Sequence, residues 1–424
     1  MRNRWSSATQ AAFRFSFAYL CLYSLATQIL GSLILIPGVS FRGFGLLSPM
    51  QNITNWVGRS FFHLSVPLVF TGNSRDSAFY WVQAFWLLIL AIAIALIWSW
   101  FDRNRANYIP LNNWFRLFIR FALAAQMFEY GMTKLIPVQF PSPSLTTLVT
   151  PVGNISLQGM LWATIGASRG YEIATGCAEL LAGILLVVPR TAMLGALICL
   201  ADMIQVFLLN MSYDIGVKMI SFHIILLTLF FLVPETRRLA DFFVFNRTPE
   251  PRKEMPLWSP RVAAAALAAQ LILGGYLLLV QADVNWVYWY AEGGGKAKSP
   301  LYGIWNIQEL SVDGQLRPAA FNDYDRQWRR LIFDTPETLV FQRLDDSFAH
   351  YGVAVDVYRK TMALTKGRSK NWKSDFTFEQ PDPATLIMDG KMDGHPIRMK
   401  LQRVEQDTLR LLNSGFRFVK PPDD

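Results

Sequence analysis

Residues 79–101 read FYWVQAFWLLILAIAIALIWSWF, an unbroken run with no charged side chain. A helix of about 20 apolar residues matches the roughly 30 Å of a bilayer's hydrocarbon core, so a run of this length constrains the fold more than anything else in the chain. Six further runs approach that length, at 12–35, 114–136, 170–188, 191–209, 215–233 and 262–281. Seven membrane spans are therefore expected. The stretch 56–70 sets Arg59 and His63 among Trp56, Phe61, Phe62 and Leu64, a mixture that suits a helix lying in the membrane interface. A hydrophobic content of 52% and a mean hydropathy of +0.24 over 424 residues agree with a membrane protein and speak against an ordinary soluble domain.

The net charge of +9 is explained by topology rather than by nucleic acid. Arg2 and Arg4 precede the first run, Arg103, Arg105 and Arg116 follow the second, and Arg190 follows the fourth. Arg237, Arg238, Arg247, Arg252, Lys253 and Arg261 crowd the loop after the sixth, whereas 137–168 holds no Lys or Arg. With seven spans all the basic loops share one side, which the positive-inside rule makes the cytoplasm. The N-terminus is then cytoplasmic and everything after residue 281 extracytoplasmic, in a bacterial inner membrane. The first run is too long for a signal-peptide core and no small-x-small cleavage pattern follows it, so it reads as a retained anchor.

Cys21, Cys177 and Cys199 are the three cysteines, all within apolar runs and far apart in sequence. Without a Cys-x-x-Cys pair, a dithiol exchange centre is not expected.

Beyond Gly293-Gly294-Gly295-Lys296 the composition changes. Short alternating segments take over, at 302–310, 328–334, 337–344, 351–359, 360–367, 372–380, 385–392, 395–404 and 415–420. Asp313-Gly314, Asp389-Gly390, Asp393-Gly394 and Ser414-Gly415 read as turns between them. Eight to ten strands in an antiparallel meander are enough to close a barrel or form a sandwich. His350 and His395 stand alone, and no metal-ligand spacing, nucleophile elbow or phosphate loop occurs, so this half is expected to bind something apolar or a partner protein rather than to catalyse.

Ionisable and polar side chains inside the apolar runs are the candidate functional residues, because a charge at the bilayer centre costs about 2.5–3.5 kcal/mol on insertion scales and needs a partner or a task. Gln126, Glu129, Tyr130 and Lys134 recur at helical spacing near the outer end of the third span. Glu179 lies two turns inside Glu172 on the fourth; Tyr213 and Asp214 follow the fifth, and Lys218, Ser221 and His223 enter the sixth. Lys218 one turn after Asp214 suggests an ion pair, and Glu129 or Glu179 with His223 a second. All these groups fall in the outer half of the bilayer, as a polar pocket open to the outside would require. The alternative is structural: polar side chains also join helices at about 0.6–2 kcal/mol per hydrogen bond. Lys134, Glu172 and Asp214 sit near span ends, where snorkelling lowers the cost.

Two resemblances follow. Gly303-Ile304-Trp305 resembles the Gly-x-Trp opening of lipocalin-like barrels, which implies a Trp on the barrel floor near an Arg of the last strand, here Arg417. Residues 112–245 resemble the DoxX family of four-helix membrane proteins. The likeness rests on Tyr130-Gly131-Met132-Thr133-Lys134-Leu135, on Glu172 through Glu179-Leu180-Leu181, on Pro189-Arg190-Thr191-Ala192 and on Asn210-Met211-Ser212-Tyr213-Asp214 leading to His223. It implies a bacterial cytoplasmic membrane and, for some members, association with thiosulfate:quinone oxidoreductases. It marks Glu129, Glu172, Glu179, Asp214 and Lys218 as family-like polar positions. A more distant likeness is to the membrane domain of vitamin K-dependent carboxylases.

The expected architecture is thus an α-helical membrane bundle of about seven transmembrane helices plus a C-terminal antiparallel β-barrel or β-sandwich. Its parts are 1–111, a DoxX-like core at 112–245, a cytoplasmic loop and last span at 246–290, and an extracytoplasmic β-domain at 296–424. The expected function is binding of a hydrophobic or quinone-like small molecule, with a quinone or lipid as the partner, in an outward-facing polar pocket, with Glu129, Glu179, Asp214, Lys218, His223, Gln126, Tyr130 and Tyr213 as site residues and no metal. A membrane subunit of a quinone-linked oxidoreductase and a ligand-free assembly protein are the alternatives.

Overall fold

The computed structural model describes residues 4–39, 41–64, 68, 76–248, 260–317, 327–367 and 369–413. The chain divides into two compact units, Met1–Ile136 with Ala174–Trp286 and Pro137–Ile173 with Val287–Asp424.

In the first unit, helix α1 (Ser7–Ala26) begins where Ser6 accepts the Thr9 N–H at 3.1 Å. It stops at Thr27, whose extended backbone separates it from the six-residue α2 (Gln28–Leu33). The expected first span is therefore two helices. Next come the amphipathic α3 (Ser48–Phe62), the apolar α4 (Ala78–Phe101) and α5 (Ile109–Leu135). Fifteen of the 27 residues of α5 are buried, which makes it the central helix. In the second unit α6 (Leu145–Val149) and α7 (Leu157–Ala167) precede α8 (Arg169–Val187). The helices α9 (Ala192–Ser212), α10 (Lys218–Leu232) and α11 (Thr236–Phe243) follow, then the 32-residue α12 (Pro260–Ala291).

Five helical stretches are long and apolar enough to cross a membrane among the described residues: Ala78–Phe101, Arg169–Val187, Ala192–Ser212, Lys218–Phe243 and Arg261–Ala291. The other two expected spans are helical but differ in kind. One is broken at Thr27, and α5 carries Arg116, Arg120, Glu129 and Lys134, charges that a helix enclosed by other helices can direct into protein. Around α5 the core gathers Ile119, Leu123, Met127, Ile224, Leu227 and Leu277. The peripheral α4 and α12 show the opposite pattern, with Leu96, Ile97, Trp100, Ile272 and Leu279 all exposed.

In the second unit, β1 (Gly303–Val312), β2 (Gln315–Leu316), β3 (Trp328–Phe333), β4 (Thr338–Arg343), β5 (Phe348–Asp356), β6 (Thr361–Lys366), β7 (Ser369–Asp382), β8 (Thr385–Met392) and β9 (His395–Arg403) form one antiparallel meander. Strand β1 pairs with β3 along its first half and with β9 from Trp305 to Val312, bending at a bulge between Ile307 and Glu309. That double pairing closes an eight-stranded barrel, with β2 extending β1 past the Asp313-Gly314 turn. Of the two sequence alternatives, the barrel is the one formed. Its interior is filled by alternate residues, among them Trp305, Phe333, Phe341, Leu364, Phe376, Met388, Met399 and Leu401. On the outside Ile304, Ile332 and Val340 are buried as well, because Leu145 of α6 packs over them. The segment 137–173 thus belongs with the barrel; Gln342 Nε2 bonds the Val149 carbonyl at 3.2 Å.

Two expectations change. Asp389-Gly390 is not a turn but lies inside β8, paired to β7; the alternating pattern runs on to Met392, and the chain reverses at Asp393-Gly394. A Cβ on Gly390 would sit 2.3 Å from the Phe376 ring, so this glycine makes room for a core aromatic. The floor of the barrel does pair a Trp with an Arg, but with Arg403 of β9: its guanidinium stands 6.0 Å from the centroid of the Trp305 ring and its Nη2 bonds the Tyr302 carbonyl at 3.0 Å. Gly303 has φ +153°, a conformation side chains disfavour, and a Cβ there would meet Arg403 Nε at 3.0 Å. Arg417 and the segment 415–420 lie outside the described residues.

Candidate functional site

The break at Thr27 turns Gln28 and, one turn on, Ser32 toward α5. There they meet Gln126, Glu129 and Tyr130, which the three- and four-residue spacing puts on one face. Gln28 Nε2 donates to Gln126 Oε1 at 2.9 Å and to the Tyr130 hydroxyl at 2.7 Å. Gln126, fully buried, in turn donates to Ser32 Oγ at 2.6 Å and to Glu129 Oε2 at 3.4 Å, and Ser32 Oγ donates to Glu129 Oε2. Three of the expected site residues are thus joined in one chain, through two residues of the first span that sequence reasoning passed over. The Oε1 atom of Gln28 is buried and has no hydrogen-bond partner among the described residues.

Gln28 also lines a small open cleft, a cavity of about 30 Å³, with Tyr23, Thr27, Arg42, Tyr80 and Ile220. Behind Tyr23 stands His223, its ring stacked on the tyrosine with centroids 3.5 Å apart and planes 7° from parallel. His223 Nδ1 is 2.8 Å from the Met219 carbonyl, which can only accept; in the neutral ring Nε2 therefore accepts from the Tyr19 hydroxyl, also at 2.8 Å. The expected pairing of His223 with Glu129 or Glu179 does not form, because both ring nitrogens are committed to Met219 and Tyr19.

Glu179 pairs instead with Lys134, whose Nζ lies 2.5 and 2.7 Å from its two carboxylate oxygens. Lys134 is no snorkelling end-of-helix residue: it is 8% exposed and Glu179 1%. Glycines allow this pairing. A Cβ on Gly176 would fall 2.7 Å from the Leu135 nitrogen and one on Gly131 2.8 Å from the Leu180 nitrogen, so the facing stretches of α5 and α8 touch backbone to backbone. Asp202 of α9, another acid the sequence reading missed, interacts electrostatically with both members of the pair, and its Oδ2 is buried without a partner among the described residues. Glu172 is buried too, and accepts the Phe140 N–H at 3.0 Å.

The remaining candidates are peripheral. Lys218 and Asp214 do pair, at 2.9 Å, but the Asp214 side chain is 93% exposed and Lys218 holds its carboxyl below the usual carboxylate range. Asp76 adds a partner the sequence hid: its two oxygens accept the Lys218 and Met219 N–H groups at 2.8 and 3.0 Å and so cap α10. Tyr213 ends α9 and is not among the residues lining the cleft. No group of three or more His, Cys, Asp or Glu side chains suited to a metal ion occurs among the described residues.

No family model matches the chain, and no solved structure matches it. It is similar to the uncharacterized protein YwoB of Bacillus subtilis (strain 168), at 34% identity over 132 residues that make up 30% of this chain and 79% of YwoB. Over that portion the chain belongs to the family of YwoB.

Proposed function

We propose that the helical unit is a membrane domain of DoxX type and that the cleft beside Gln28 binds a hydrophobic, quinone-like molecule. The observation carrying this reading is a small cleft with polar and aromatic lining residues, backed by a hydrogen-bonded chain of five side chains, within a unit whose outward surface is apolar. Ligand sites are typically apolar hollows with a few placed polar groups. Tyr23 and Tyr80 line it as aromatic residues and Gln28 and Arg42 as polar ones.

Membrane insertion is supported by the five apolar helices and by side chains such as Leu96, Trp100, Ile272 and Leu279, whose exposure to water would be costly and whose exposure to lipid is not. The basic loops favour a cytoplasmic N-terminus and a cleft nearer the outer face. The barrel, its interior filled with side chains, serves as an extracytoplasmic module that meets a partner through its outer surface.

Titration of the full chain in lipid nanodiscs with ubiquinone-1, followed by tryptophan quenching, tests the reading. Saturable binding is expected, weakened about tenfold or more by Gln28→Leu, in keeping with roughly 1–3 kcal/mol for a buried polar contact. Non-saturable quenching, the same in both proteins, would contradict it.

A further inference from the structure

Resting on that reading of the cleft, we infer that the site selects the hydrogen-donating form of its ring ligand, a quinol or phenol, over the oxidised quinone. The argument is the direction of donation along the chain behind the cleft. Glu129, as a carboxylate, can only accept. It takes hydrogen bonds from Ser32 Oγ and Gln126 Nε2. With its amide nitrogen so engaged, Gln126 offers its Oε1, which accepts from Gln28 Nε2. The same Gln28 nitrogen gives its other bond to Tyr130. The links from Gln28 to Gln126 and from Gln126 to Ser32 and Glu129 point from the cleft toward Glu129, and so set the amide orientation of both glutamines, while Ser32 Oγ also lies 3.0 Å from the Gln28 carbonyl.

The near end of the chain is therefore an acceptor, Gln28 Oε1, which is buried and has no hydrogen-bond partner among the described residues, on a side chain that lines the cleft. A quinone carries acceptors only and leaves it unsatisfied. A quinol hydroxyl donates to it while its oxygen still accepts from a donor such as Arg42, which also lines the cleft. Because a buried acceptor without a donor is penalised, sites of this kind discriminate strongly against analogues that lack the matching hydrogen.

The test compares two redox forms of one probe on the full chain in nanodiscs: ubiquinol-1 held reduced under anaerobic conditions, and ubiquinone-1. The wild type is expected to bind the quinol about 5- to 100-fold more tightly. Glu129→Gln, which frees the far end to donate and lets the chain reverse, is expected to erase most of that preference. Equal affinity for both forms in the wild type, or tighter quinone binding, overturns the inference and leaves the site standing. Saturable binding of neither form overturns the site itself. An undiminished preference in a folded Glu129→Gln protein overturns the role of the chain's direction.

Discussion

The two units bury opposite things. In the barrel the inside is apolar, with Trp305, Phe333, Phe341 and Met399 packed against one another. Its charges lie outside, as in Lys400–Glu309 and Arg398–Asp389. In the helical unit Gln126, Lys134, Glu179 and His223 are inside, and Leu96, Trp100 and Leu279 outside. Water rewards the first arrangement through the hydrophobic effect; in the proposed bilayer setting that reward is absent, and helix packing and hydrogen bonds would hold the second together. One chain therefore carries two folding logics, and the same substitution should act differently in each.

The largest effects should come from breaking each unit's interior by its own rule. Phe341→Ala is expected to cost about 3–5 kcal/mol through transfer and cavity terms. Lys134→Met should cost a similar amount, roughly 3–5 kcal/mol, by stranding the Glu179 carboxylate. Adding Glu179→Leu to Lys134→Met should restore most of that loss, and thermal unfolding of the three proteins in nanodiscs reads it directly. If the double variant were no better than the single, the pair would matter for something other than charge compensation.

Outward substitutions sharpen the contrast. Leu279→Lys on α12 should cost about 2.5–3.5 kcal/mol and lower the fraction recovered in membranes, as for a charge facing lipid. Val357→Lys on a barrel hairpin should stay within about 0.5 kcal/mol in thermal unfolding. The smallest effect belongs to Asp334, half-buried in the barrel unit. Burial raises its carboxyl above the usual value of 3.8, although the Leu145 N–H and the charges of Lys296 and Lys298 oppose the shift. A raised acid supports the fold below its free value and loses that support as pH rises through its folded value. Asp334→Asn, which keeps an acceptor for Leu145, should therefore gain slightly on the wild type between acid and neutral pH; a difference that ignored pH would place the shift elsewhere.

What was legible in the sequence follows the same division. Most strands could be read to within about three residues at each end, since alternation of period two is local and the turn at Asp393-Gly394 is written in its own residues. Gly390 misled because its role is to admit Phe376 from a neighbouring strand, a non-local fact. The polar helices were legible as a set of residues but not as a set of partners. Lys134 meets Glu179 across 45 positions because Gly131 and Gly176 let two backbones touch, and nothing in either helix alone declares that contact. Gln28 and Ser32 were uncharged and fell in a run read as continuous. Asp202 could have been found, since an acid in the middle of a span with mean hydropathy 2.2 is the same signal that marked Glu179.

Native mass spectrometry of the full chain released directly from membranes tests the central claim most simply. The account predicts a co-released isoprenoid quinone or quinol on the wild type that is lost or sharply reduced in Gln28→Leu. Equal adducts on both proteins, or none on either, would contradict it.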